Sequence, residues 1–162
     1  IAERHYYYLL KASIRLAKER GTFGFFDKTR WKDGWIPLDT YNRNVDALAS
    51  TYHYDWASIK QDVMTYGVRF SVICAHMPCE SSSVVSNSTN SIYPIRNDMV
   101  FKDSKKGDIQ FFAPTYDKYH YETVWDLTAT DITNFYAVVQ KFTDQAISAD
   151  TYTDFSKYQN KQ

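Results

Sequence analysis

The run Met77-Pro78-Cys79-Glu80-Ser81-Ser82-Ser83 ends a stretch of apolar residues and gathers groups that can hold an anion. Its proline stops any strand ladder, because the ring nitrogen has no proton to donate. An acid and three hydroxyl side chains follow. These types suit a helix N-terminus, where backbone N–H groups lack intrahelical acceptors and the helix dipole is positive. Such a turn can bind a phosphate, since several amides and hydroxyls converge on one point. Glu80 could serve as a general acid, or could stabilise the first helical turn without doing chemistry; no second carboxylate stands near it in sequence. The serines have no G-x-S-x-G setting and no visible partner base, so binding asks less of them than nucleophilic attack.

The remaining reactive residues point to less. Cys74 and Cys79 match neither C-x-x-C nor a paired metal motif, and an odd separation on an extended strand sends side chains to opposite faces. Cys74 reads as a small core residue, and Cys79 as a contributor of its backbone amide to the turn. His5, His53, His76 and His120 are scattered, without ligand spacing. Neither G-x-x-x-x-G-K nor G-x-G-x-x-G occurs, which argues against a P-loop or dinucleotide fold.

The elements that must position the turn are legible from pattern. Residues 3–20 form an amphipathic helix stopped by Gly21, and 22–41 an irregular aromatic-rich connection. A short helix is predicted over 41–49. Asp55 caps a helix from Trp56 to Tyr66 that Gly67 closes. Val68 to His76 then reads as a buried strand, so helix, glycine and strand make the αβ half of an α/β unit, with the turn at the carboxyl end of the strand, where ligands of α/β folds sit. Tyr93–Phe101 and Ile109–Ala113 predict a hairpin whose charged tip spans residues 102–108, with Lys105 and Lys106 as solvated charges. Helices are predicted over 116–127 and 131–149.

Composition narrows the classes. In 162 residues, 44% hydrophobic and 17% aromatic content supports one domain with a core rather than a disordered tail. Nineteen basic residues balance nineteen acidic ones, so no bulk attraction to nucleic acid or an anionic membrane is expected. Two cysteines give no disulfide framework, no apolar run approaches a span of roughly 20 residues, and no secretory leader is read at Ile1. A cytoplasmic location is expected, and the missing initiator Met points to a trimmed or incomplete chain.

The segment from Tyr66 to Arg96, Y-G-V-R-F-S-V-I-C-A-H-M-P-C-E-S-S-S-V-V-S-N-S-T-N-S-I-Y-P-I-R, resembles the large (α) subunit of class I ribonucleotide reductases of the bacterial and T-even-phage type. The family's matching run reads G-L/I-R-N-S-T-L-S-A-L-M-P-S/C-E-T/S-S-S-Q-I/V-S-N-A/S-T-N-G. Further stretches agree in order: Y-Y-L-L-K-A-S-I-R-L-A-K-E-R-G, I-P-L-D-T-Y from Ile36, H-Y-D-W from His53, and Q-K-F-T-D-Q-A-I-S-A-D-T from Gln140.

The resemblance implies an α/β fold: the C-terminal portion of a ten-stranded α/β barrel with a β-hairpin and long helices, the whole of 1–162 forming one segment that is incomplete alone. It implies a substrate-diphosphate site at Pro78, Cys79, Glu80, Ser81 and Ser82, with Ser83 a weaker candidate. The implied chemistry is radical replacement of the ribose 2′-hydroxyl of a nucleoside diphosphate by hydrogen. No cofactor is expected on this chain, since the family's radical cofactor lies in the small β subunit and its ATP and dNTP effectors bind elsewhere in the large subunit. The implied partners are the remainder of the large subunit as a companion chain, the β subunit and the substrate. His76, Ser91, Ile95 and Asn97 depart from the family's Leu, Gly, Pro and Gly. No counterpart of the family's thiyl-radical cysteine or reducible cysteine pair is present, so the chain alone should reduce nothing. The alternative is a catalytically inactive interaction module that keeps the fold, and a weaker third reading is a separate phosphate-binding protein.

Overall fold

The computed structural model describes residues 1–103, 105, 107–154 and 156, and the backbone alone for Glu80 and Lys102. The chain divides into two compact units, Ile1–His76 with Asn134–Ile147, and Met77–Thr133 with the residues from Ser148 onward. The predicted hairpin-tip positions Ser104 and Lys106 lie outside the described residues.

In the first unit, helix α1 (Ala2–Arg20) buries Tyr6, Leu10, Ile14 and Ala17, the stripe that recurs at three and four positions. Its N-terminus is tied by Glu3. That buried carboxylate accepts the backbone N–H of His53 at 2.8 Å and of Tyr54 at 3.2 Å, and the indole N–H of Trp56 at 3.0 Å; His53 Nδ1 lies 3.0 Å away. Burial alone would raise its pKa, but these donors together hold it below the ordinary carboxylate value. Helix α2 (Trp56–Tyr66) starts as its sequence requires, with Asp55 accepting the Ser58 N–H at 3.0 Å, and buries Trp56, Ile59 and Val63. Gly67 ends it at φ +71, where a Cβ would collide with the Thr22 side chain.

These helices share a core with Trp31, Ile36, Val68 and Phe142, and Trp56 stacks between Tyr6 and Phe142 at centroid distances of 6.4 and 6.2 Å. Each such side chain contributes about 1.5–3 kcal/mol by leaving water. Residues 22–41 are irregular as expected, with single 3₁₀ turns at Phe26–Lys28, Arg30–Asp33 and Pro37–Asp39; a further 3₁₀ turn, Arg43–Ala47, stands in place of the short helix over 41–49. The fully buried Lys141 closes this region. Its ammonium donates to Asp46 Oδ1 at 2.8 Å and the Ala49 carbonyl at 2.5 Å, with the rings of Tyr41 and Tyr52 at 4.5 and 4.9 Å.

The predicted strand 68–76 is not a strand: it bends at Arg69 and Ser71 and forms one parallel bridge, between His76 and Ile147. Side chains take the donors a ladder would use. Ser13 Oγ accepts the N–H of Arg69 at 3.0 Å and of Phe70 at 3.3 Å, and Asp144 accepts those of Ile73 and Cys74 at 2.8 and 2.9 Å. Nor is the segment buried throughout: Val68 and Cys74 are, whereas Phe70 and Val72 are half exposed.

In the second unit, helix α3 (Glu80–Ser86) follows the proline turn. The hairpin is shorter than predicted, with β1 (Met99–Lys102) antiparallel to β2 (Ile109–Phe112) and Met99 opposite Phe112. Residues 116–127 form turns instead of the expected helix. Thr115 sits at φ +57, Tyr121 donates its hydroxyl to the Pro114 carbonyl at 2.5 Å, and Asp126 takes both the N–H and hydroxyl of Thr123 at 2.8 Å, local bonds that compete with helix. Burial, Tyr152 and Asp150 push the Tyr93 hydroxyl up to about 12.

Helix α4 spans Ala129–Gln140. Thr128 and Asp131 cap it reciprocally, the Asp131 N–H reaching Thr128 Oγ1 at 3.2 Å and the Thr128 N–H reaching Asp131 Oδ2 at 3.0 Å. It ends at Gln140, short of the predicted Ala149, and Gln140 Nε2 donates to the carbonyls of Thr143 and Gln145 in the irregular segment that follows, at 3.1 and 2.9 Å. No described helix is long and apolar enough to cross a membrane.

Candidate functional site

Pro78 and Cys79 lead into α3 as an exposed turn, and Ser81 and Ser82 are exposed on the helix's first turn. Cys79 is the N-cap, and the Ser83 N–H closes the first intrahelical bond onto the Cys79 carbonyl at 2.7 Å. The amides of Glu80, Ser81 and Ser82 therefore precede the first residue with an acceptor inside the helix. The Cys79 amide differs from the sequence expectation: it donates to the Asn90 carbonyl at 2.8 Å, so it is engaged within the loop rather than free for a ligand. The Ser82 hydroxyl donates to the Cys79 carbonyl at 3.2 Å and must rotate to serve an anion. Ser83 is buried, facing away from the exposed turn that Ser81 and Ser82 present.

The far end of α3 explains the turn's shape. Asn87 adopts a left-handed conformation at φ 49 and ψ 52, with its N–H on the Val84 carbonyl at 3.3 Å and the Ser88 N–H on the Ser83 carbonyl at 2.9 Å. This is a Schellman stop. It reverses the chain so that Asn90 returns to Cys79, and both ends of the short helix are tied. Asn87 and Asn90 were not among the residues singled out by type; the signal was S-N-S-T-N directly after a helical run, since asparagine tolerates left-handed backbone.

The cysteines divide as their settings dictate. Cys74 is buried in the first unit's core, where burial and the Asp144 carboxylate push its thiol pKa up, and its Sγ lies 3.7 Å from His76 Nε2. Burial and His5 in turn lower the His76 pKa. Cys79 is exposed. Among the described residues, no group of three or more His, Cys, Asp or Glu side chains could hold a metal ion.

The sequence profile of the ribonucleotide reductase barrel domain matches residues 1–119, which include the whole turn and α3. The chain belongs to the ribonucleotide reductase barrel-domain family. Its similarity to curated relatives covers almost its full length. It is 41% identical over 158 residues to the ribonucleoside-diphosphate reductase subunit alpha of Haemophilus influenzae, covering 95% of this chain and 21% of the relative. It is 41% identical over 156 residues to subunit alpha of ribonucleoside-diphosphate reductase 1 of Escherichia coli, covering 94% and 20%. To subunit alpha of Enterobacteria phage T4 it is 39% identical over 158 residues, covering 94% and 21%. The chain thus spans about a fifth of the length of these reductase subunits. Ser91, Ile95 and Asn97 line one cavity in the second unit, which Pro78, Cys79, Ser81 and Ser82 do not line.

Proposed function

We propose that this chain is the part of a ribonucleoside-diphosphate reductase large subunit that supplies the substrate-diphosphate turn, within the C-terminal portion of a ten-stranded α/β barrel. The observation that carries the reading is the barrel-domain match running through an exposed proline turn whose first helical amides precede any intrahelical acceptor. Pro78 fixes the entry and Cys79 caps the helix; the amides of Glu80, Ser81 and Ser82 and the hydroxyls of Ser81 and Ser82 are the donors. Cys79 contributes through its position, because its own amide is held by Asn90. Each hydrogen bond to a charged oxygen is worth about 1.5–3 kcal/mol.

Residues 1–162 form a single segment of the barrel domain, and the rest of the large subunit comes from a companion chain. The β subunit holds the radical cofactor, whose chemistry when present is one-electron oxidation; this chain's residues bind and orient the diphosphate. Nucleotide effectors bind in other parts of the large subunit, nucleic acid and membrane are not partners, and the assembly works in the cytoplasm of a bacterium or a phage-infected cell.

The test is purification of the chain from its source with its bound partners, followed by a reductase assay on nucleoside diphosphates. Co-purification of a chain carrying the missing four-fifths of the subunit, with turnover, supports the reading. Isolation without such a chain, or with one and no turnover after β subunit is added, favours the inactive interaction module.

A further inference from the structure

We propose that the second unit carries a separate binding site for a small, flat organic anion, in the cavity between α3, the loop after it and the hairpin. This goes beyond the phosphate-turn reading and does not depend on it. The cavity holds about 210 Å³, below the roughly 300 Å³ at which drug-sized pockets begin, so its occupant is a single ring or a group of similar size. Its walls divide by chemistry. Val100 and Phe111, which face each other across the hairpin, offer an apolar surface, while Asn87, just after α3, offers a carboxamide. Among the described lining residues Arg96 is the one charged side chain, and it is exposed.

That arrangement selects a ligand in two ways. An aromatic ring fills the apolar side and gains from contact with Val100 and Phe111. An acidic group on that ring can pair with the planar Arg96 guanidinium through both of its oxygens. A cation finds no counter-charge among the described lining residues. A neutral ring gains the apolar contact alone.

The probes are benzoate, its neutral analogue benzamide, and inorganic phosphate, titrated by ligand-observed NMR and calorimetry into the full chain in its purified assembly. Benzoate should bind saturably, with a dissociation constant on the order of 1 mM. Benzamide and phosphate should each bind at least about tenfold more weakly, reflecting the lost charge-assisted bond and the lost ring contact respectively. Arg96→Met, at an exposed position, should weaken benzoate about tenfold and leave benzamide unchanged. Val100→Trp should fill the cavity and displace both rings, with an unchanged melting curve confirming the fold. Equal binding of benzoate and benzamide, phosphate binding as tight as benzoate, an unaffected Arg96→Met variant, or no saturable binding at all would each overturn the proposal.

Discussion

The Cys79 amide donates to the Asn90 carbonyl at 2.8 Å, closing a loop whose body is the short helix α3. The closure depends on Asn87, because only a left-handed residue after Ser86 turns the chain back toward Cys79. Asn87→Gly should keep the stop and leave stability within about 0.5 kcal/mol, whereas Asn87→Val should cost about 1–2 kcal/mol. Urea unfolding of the two variants, followed by circular dichroism, measures the difference. Equal behaviour would mean that the stop does not hold the loop.

Glu3 predicts an acid-sensitive anchor. Its folded pKa lies below the ordinary value, so its stabilisation is complete above the ordinary carboxylate range and is lost as pH falls below it. Glu3→Gln keeps the shape but turns an amide group toward donors, leaving buried N–H groups poorly paired at about 1–3 kcal/mol. Unfolding midpoints compared at neutral and acidic pH should show a large gap between parent and variant at pH 7 that narrows in acid. A gap that stays constant with pH would contradict the assignment.

Much of this was legible because it is local. Asp55 with Gly67, and the 3–4 stripe from Tyr6 to Ala17, declare their helices through contacts within a few residues. The segment 68–76 was misread because its donors go to Ser13 and Asp144, distant in sequence, and strand-forming side chains do not reveal whether a neighbouring strand or a carboxylate accepts the N–H. Tyr116 to Leu127 failed for the opposite reason: Thr123 and Asp126 bond each other locally and take the backbone out of helix. At the site, residue types located the turn, but the return of Asn90 to Cys79 is a backbone bond that no side chain announces.

The two thiols should react at very different rates. Cys79 is exposed, whereas Cys74 is buried and its thiol is held protonated. One equivalent of a thiol reagent should react with the folded chain and a second only on unfolding, with Cys79→Ser abolishing the fast phase. In a reconstituted reductase, replacing both by serine should leave turnover within several-fold of the parent. Loss of turnover with folding and substrate binding intact would show that the cysteines have a chemical role.

Lys141 should be irreplaceable by an apolar side chain of similar length. Lys141→Met removes the cation from between Asp46, the Ala49 carbonyl and two tyrosine rings, leaving those acceptors facing an apolar group. The melting temperature should fall by several degrees, against no measurable change for Lys32→Met on the surface. Equal melting of the two variants would contradict the packing described.

The most direct test compares a nucleoside diphosphate with the bare nucleoside as ligands of the reconstituted large subunit, for the parent and for Ser81→Ala, Ser82→Ala and the pair. If the turn binds the diphosphate, each single change should weaken the diphosphate by roughly ten- to a hundred-fold, the pair by more, and the nucleoside by nothing. If the serine changes weaken both ligands equally, or neither, the turn is a helix cap and the phosphates bind elsewhere.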